Sequence, residues 1–278
     1  MTMSYLTEPF QYDFFGRALI VAILIGVLAG ALGPFVLVRR MAYIGQGMSQ
    51  SVLGGVALGV TYGLDIYVGA ALAAVLSAGL IHFVRSRGLS VDTAIGIVAS
   101  TMFATGVAII SSSRDRRLNS TNLLFGNILG VRTSDIVLVA VVFSIAMAVL
   151  FFQYKPLLAA THNASVAAAH GVRIKFIETL FSMLLAMVVV TALQVLGVLL
   201  VAATLIIPAA TSIMTFSAFR HIVIGSMALG FTFSVIGLFV SFHRNIASGP
   251  AIVLVGAVVF ALNLLSIGFP RRSAGSIR

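Results

Sequence analysis

Apolar residues run along this chain in nine long stretches, near 15–38, 48–63, 66–84, 93–112, 134–154, 174–196, 198–217, 221–242 and 249–268, and most of the charge lies between them. The stretches are continuous rather than alternating, which predicts helices, because the strands of a membrane barrel show about ten residues of strict alternation. Most approach the roughly 20 residues that cross a bilayer core, where a helix satisfies its own backbone. The pattern predicts an all-α integral membrane protein of about nine spanning helices, within a range of eight to ten, forming a single domain over 1–278.

Composition sharpens this picture. Hydrophobic residues make up 60% of the chain and charged ones 9%, against about 25% charged in a soluble domain. The formal charge of +10 raises the question of a nucleic-acid partner, but Lys and Arg come in ones, twos and threes, with no basic stripe. Their placement reports topology instead. With the N-terminus outside and the C-terminus inside, the inner segments collect Arg39, Arg40, Arg85, Arg87, Lys155, Arg173, Lys175, Arg220, Arg271, Arg272 and Arg278, an 11 to 6 split in favour of the inner face. The triple Arg114, Arg116 and Arg117 runs against it. Residues 1–15 lack the basic start of a cleavable signal peptide, so the first helix is expected to stay. Without cysteine there are neither disulfides nor thiolate metal sites.

Three local features stand out. Ser51, Gly55, Gly59 and Gly63 repeat every four residues, lining small side chains along one helix face for close packing. Pro208 falls within the seventh stretch, where it should kink or break a helix. Between Phe152 and Ile174 the apolar character lapses around a short helix over 163–171, with Asn163 as its N-cap and Gly171 as its stop. At about 1.5 Å per residue it is far too short to span, and the charge rule places it on the inner face.

The chemistry absent is as informative. No GxxxxGK[ST] loop occurs, so the chain does not cradle nucleotide phosphates by that device. An ion-coupled secondary transporter needs intramembrane ionisable groups. Only Asp92, at a helix start, and Glu178, near the basic edge around Arg173 and Lys175, compete for that role. An enzyme reading lacks a nucleophile–base pair, since His82, His162, His170, His221 and His243 all fall near predicted membrane ends and none pairs at helical spacing.

Four blocks, in order along nearly the whole chain, carry a resemblance. The first is Val38-Arg39-Arg40-Met41-Ala42-Tyr43-Ile44-Gly45-Gln46-Gly47-Met48-Ser49-Gln50-Ser51 with Leu53-Gly54-Gly55-Val56-Ala57; the second is Leu124-Phe125-Gly126-Asn127-Ile128-Leu129. The third joins the 163–171 helix to Val195-Leu196-Gly197-Val198-Leu199-Leu200-Val201 and Leu205-Ile206-Ile207-Pro208-Ala209-Ala210-Thr211. The fourth is Ser241-Phe242-His243 with Ser248-Gly249-Pro250-Ala251-Ile252-Val253. Together they resemble the family-3 ABC permeases that import manganese, zinc or iron. The resemblance implies a vitamin B12-type importer fold in a bacterial cytoplasmic membrane, without catalysis or a resident cofactor. It implies a second permease subunit, identical or paralogous, a separate ABC ATPase that binds ATP, and an extracytoplasmic metal-binding protein. The 163–171 helix becomes the coupling segment, with Asn163, Ser165, Ala168 and Gly171 its candidate residues.

The same resemblance names Gln46, Ser49, Gln50 and Asn245 as candidates for the path of a transported divalent metal, with Gln46 and Gln50 as candidate ligands. Here the sequence departs from the family, which has an acid and a histidine at Gln46 and Gln50, an Asp and a Pro at Asn245 and Ala247, and acids at Asn163 and Ser165. Amide oxygens suit a hard cation such as manganese better than zinc, but hold it less firmly than carboxylate or imidazole. A weak fast-releasing path, a path for a chelated metal, and a heterodimer whose partner supplies ligands all follow, as does plain hydrogen bonding between helices.

Overall fold

The computed structural model describes residues 8–39, 41, 44–61, 63, 66–112, 131–197 and 200–267. Every regular element among them is helical. Nine helices occupy the nine predicted places: α1 (Asp13–Val38), α2 (Ile44–Thr61), α3 (Ile66–Ser86), α4 (Val91–Ser112), α5 (Thr133–Phe152), α8 (Ile174–Leu196), α9 (Val201–Thr215), α10 (Phe219–Arg244) and α11 (Ser248–Ile267). Two short helices, α6 (Tyr154–His162) and α7 (Ala164–Ala169), lie between α5 and α8. Among the described residues six helices, α1, α3, α5, α8, α10 and α11, are long and apolar enough to cross a membrane, so the expected count of nine spanning helices is not confirmed; the apolar parts of α4 and α9, Thr93–Ile109 and Val201–Thr215, are shorter.

α1 is the central post. Its glycines let other backbones approach closely: Gly26 faces Gly230 and Gly30 faces Ser226, so α1 and α10 run antiparallel in direct contact. A Cβ on Gly26 would stand 2.5 Å from the Gly230 carbonyl oxygen. The second group is α2 with α3 and α4. Gly47 meets Ile95 and Gly54 meets Met102, a constant offset that makes α2 and α4 parallel. Gly55 of α2 lies against Gly69 of α3, as the small-residue face predicts, and Gly59 meets the same residue. Gly63 is not part of that face: it follows the end of α2 with φ +71 and has no neighbour within 4 Å of a built Cβ. α8 packs on α1, α2, α3 and α5, while α9 packs on α1, α10 and α11 and reaches α2 where Gly45 meets Leu205. These two helices join the groups.

Aromatic side chains close both ends of the bundle. At one end Phe10, Phe15, Phe239 and Phe242 stack edge to face or tilted. At the other, fully buried Phe35 touches Tyr154, Phe181 and Phe219. Apolar side chains also cover the outside, among them Phe151, Phe152, Leu254, Leu262 and Leu265. Such a continuous apolar exterior is costly in water and ordinary in lipid.

Candidate path and coupling segment

The first two turns of α2 hold three of the four path candidates. α2 starts at Ile44, four residues before the apolar stretch, because Gly45, Gln46 and Gly47 are polar or small but still helical. The missing side chains are what lets this turn fit: Gly45 lies against Leu205 and Gly47 against Ile95. Gln46 is exposed and Gln50 half-buried. Four positions advance a helix by about 40° beyond one turn, so the two amides share a face. Ser49 is fully buried and its Oγ donates to the Gln46 carbonyl oxygen at 3.0 Å. This turn carries the partial positive charge of a helix start, which opposes a cation, and neutral amides do nothing to offset it. A cation stopping here would meet oxygen donors on an open face and a weak hold.

Asn245 is elsewhere. It closes α10 in the left-handed conformation at φ 54, exposed, beside the Phe10 cluster and far along the bundle from the Arg39 end of α1. The backbone explains the residue, since asparagine tolerates this conformation better than most. The nearby turn is fixed by Ser241 Oγ donating to the Ile246 carbonyl at 2.7 Å.

The short helix α7 has the caps that the sequence predicts. The Asn163 side chain accepts from the backbone N–H groups of Ser165 and Val166 at 3.1 and 3.2 Å and from Ser165 Oγ at 2.7 Å. Gly171 takes the left-handed conformation at φ 81, which only glycine adopts freely. Ala167 is buried, whereas Ser165, Ala168 and Gly171 are exposed, so the helix rests on one side and presents the other. Sequence reasoning missed α6 in front of it. That nine-residue helix carries Pro156 in its first turn, where a missing N–H costs nothing, and bends away from α5 at Gln153. His162 at its end stacks on Phe219.

Arg39, just past the end of α1, was legible as a topological charge and as part of the first block, with no partner assigned to it. Its Nε donates to Thr161 Oγ1 at 2.9 Å, and its guanidinium carbon lies 4.5 Å above the Phe181 ring. Burial lowers its pKa from the ordinary arginine value, and the charge of Glu178 opposes that effect. Glu178 itself is exposed on α8.

α9 runs unbroken from Val201 to Thr215 through Pro208, so the expected disruption does not take the form of a break. A shallow crevice of about 10 Å³, room for little more than one water molecule, opens beside it, lined by Gly26, Thr204, Pro208, Phe233, Ser234 and Gly256. At the Phe10 end of the bundle, the Tyr67 hydroxyl donates to Asp135 Oδ1, and the Arg132 N–H donates to Asp135 Oδ2 at 2.8 Å, tying α3 to the start of α5. Among the described residues no three His, Cys, Asp or Glu side chains gather as a metal site. The Leu124 to Leu129 block and the Arg114, Arg116 and Arg117 triple lie outside the described residues, as do Arg40, Arg271, Arg272 and Arg278; the side chain of Asp92 is likewise not described.

Three comparisons bear on this arrangement. The chain is 36% identical over 267 residues to the manganese transport system membrane protein MntC of Listeria monocytogenes, covering 95% of this chain and 94% of that one. Its structure matches PsaBC from Streptococcus pneumoniae in complex with Fab, with a TM-score of 0.86, 34% identity and 95% of each chain covered. A more distant likeness, to an inward-facing putative metal-chelate type ABC transporter, has a TM-score of 0.73 at 17% identity, with 90% and 85% covered, and speaks for the fold. The model of the ABC 3 transport family matches residues 11–267, and with relatives this similar over nearly its full length, the chain belongs to that family of transporter permeases.

Proposed function

We propose that this chain is the membrane-spanning subunit of an ATP-driven importer that passes a divalent metal ion, manganese before zinc or iron, into a bacterial cell. The observation that carries the reading is the full-length similarity to a relative named for manganese transport. The α2 turn supports the same cargo, because a site built of amide and hydroxyl oxygens suits a hard cation that does not demand imidazole or thiolate. In this reading Gln46, Ser49 and Gln50 border the path, and Asn245 lies at its outer mouth. A neutral site gives low residence and fast release, which suits a conduit.

The N-terminus lies outside and the C-terminus inside, so α6 and α7 face the cytoplasm. Two permease subunits, identical or paralogous, enclose one path; an extracytoplasmic binding protein delivers the metal and ATPase subunits hydrolyse ATP. Helix α7 enters a groove on the ATPase through its exposed side, where Asn163, Ser165, Ala168 and Gly171 lie, and a rigid-body movement passes to the helices it joins. Pro208 removes one backbone hydrogen bond from α9 beside the crevice and gives that helix a place to bend.

Uptake of radioactive manganese and zinc by cells with and without the gene, at trace concentration in metal-depleted medium, tests the reading. Loss of manganese uptake on deletion is expected. Unchanged uptake of both metals, with the partner subunits still expressed, would refute a bare divalent cation as cargo.

A further inference from the structure

Thr161 stands two residues before the cap of α7. Its hydroxyl donates to the Leu157 carbonyl at 2.6 Å and accepts from Arg39 Nε at 2.9 Å, a link between chain positions 122 residues apart. Arg39 follows the last residue of α1, and five residues, 39–43, separate that helix from α2 and its Gln46 turn. The guanidinium is steadied by Phe181 of α8, and Phe181 belongs to the aromatic bed of Phe35, Tyr154 and Phe219. His162 lies on the same bed through Phe219. One residue therefore touches the end of α6 and the face of α8 while standing on the short connection to the path turn.

The contact is also incomplete. Arg39 Nη2 is buried without a hydrogen-bond partner among the described residues. A buried unpaired donor on a charged group is expensive to keep. Such a cost suits a residue that changes partners between two arrangements, and Glu178 supplies an acceptor of opposite charge on the neighbouring helix. An arginine that merely anchored α1 at the membrane edge would extend its head to water instead.

We propose that Arg39 is a positioning residue that carries displacement of the α6–α7 segment to the first turn of α2, exchanging Thr161 for Glu178 as α7 moves. The proposal rests on the reading of α7 as the ATPase-docking helix. Thr161→Val removes the acceptor at nearly constant shape. Arg39→Lys keeps the charge but loses the Nε donor and the planar stack.

The test uses the transporter assembled with its ATPase and binding protein in lipid vesicles, and reads manganese moved per ATP hydrolysed. Both variants should lower that ratio by about fivefold or more, the lower end of the range for coupling between distinct sites. ATPase activity should persist, and Thr161→Ser should restore the ratio. An unchanged ratio in both variants overturns the proposal. So does a parallel loss of hydrolysis and transport that tracks the amount of folded complex, because that is a structural role.

A second readout does not depend on the cargo. The chain has no cysteine, so spin labels can be placed at exposed Leu58 on α2 and exposed Ile236 on α10. ATP should change their separation in the parent chain and not with Thr161→Val. An ATP-driven change that survives Thr161→Val overturns the proposal, whereas a parent complex that moves no manganese but shows the change overturns only the choice of cargo.

Discussion

A single methyl group at position 26 probes the packing that holds the bundle together. The Cβ of Gly26→Ala would stand 2.5 Å from the Gly230 carbonyl oxygen and press on Ser234 Oγ as well. Carbon–oxygen contacts settle at about 3.3 Å, so α1 and α10 must part by roughly 0.8 Å along their closest approach. Neither helix has an easy response: Gly30 is held against Ser226 one turn away, and Gly33 against the α9 backbone at Leu205. Overpacking of this kind costs about 1–3 kcal/mol. For a chain of this size that corresponds to a melting point lower by about 2–5 °C. Gly79→Ala in α3 is the matched control, since nothing lies within 4 Å of its added carbon, and helix propensity favours alanine there by about 0.5–1 kcal/mol. Heating the purified chain in detergent and following the folded fraction by size exclusion reads both. Gly26→Ala melting at or above the parent chain would refute the close α1–α10 contact.

Other substitutions test separate parts. Gln50→His places an imidazole on the open face of α2 and should raise zinc transport or zinc inhibition relative to manganese; an unchanged preference in competition uptake would show that position 50 only packs. Asn163→Ala removes the cap of α7 at a cost of about 1 kcal/mol, and Asn163→Pro should go further by abolishing the ATPase stimulation that transport requires, with the membrane helices still folded by circular dichroism. Retained stimulation with Asn163→Pro would remove α7 from the docking role. Tyr67→Phe deletes a hydrogen bond to a carboxylate, worth about 1.5–3 kcal/mol. It should lower the melting point by several degrees without changing metal preference; an unaltered melt would mean that Asp135 is satisfied by Arg132 alone.

Much of the architecture was legible because apolar runs and helices obey the same constraint: the run at 174–196 and α8 have the same bounds. The start of α2 was misplaced because Gly45, Gln46 and Gly47 carry no apolar signal, although their small size is what seats the turn against Leu205 and Ile95. The caps of α7 could be read since Asn163 and Gly171 act on their own neighbours. α6 could not, because its weakly apolar nine residues depend on packing against α5 and α8. Nothing local marks Phe35, Tyr154, Phe181 and Phe219 as one cluster, or joins Arg39 to Thr161, since the fold alone brings such distant positions together. The face shared by Gln46 and Gln50 followed from their spacing once the segment proved helical; the distance of Asn245 from them did not.

The most direct measurement is accumulation of radioactive manganese by lipid vesicles that contain the chain together with its ATPase and binding protein, beside vesicles that contain the chain alone. The account predicts accumulation that requires ATP and the ATPase subunit, and none with the chain alone under any ion gradient. Gradient-driven uptake by the chain alone, or no manganese accumulation by the assembled complex, would contradict it.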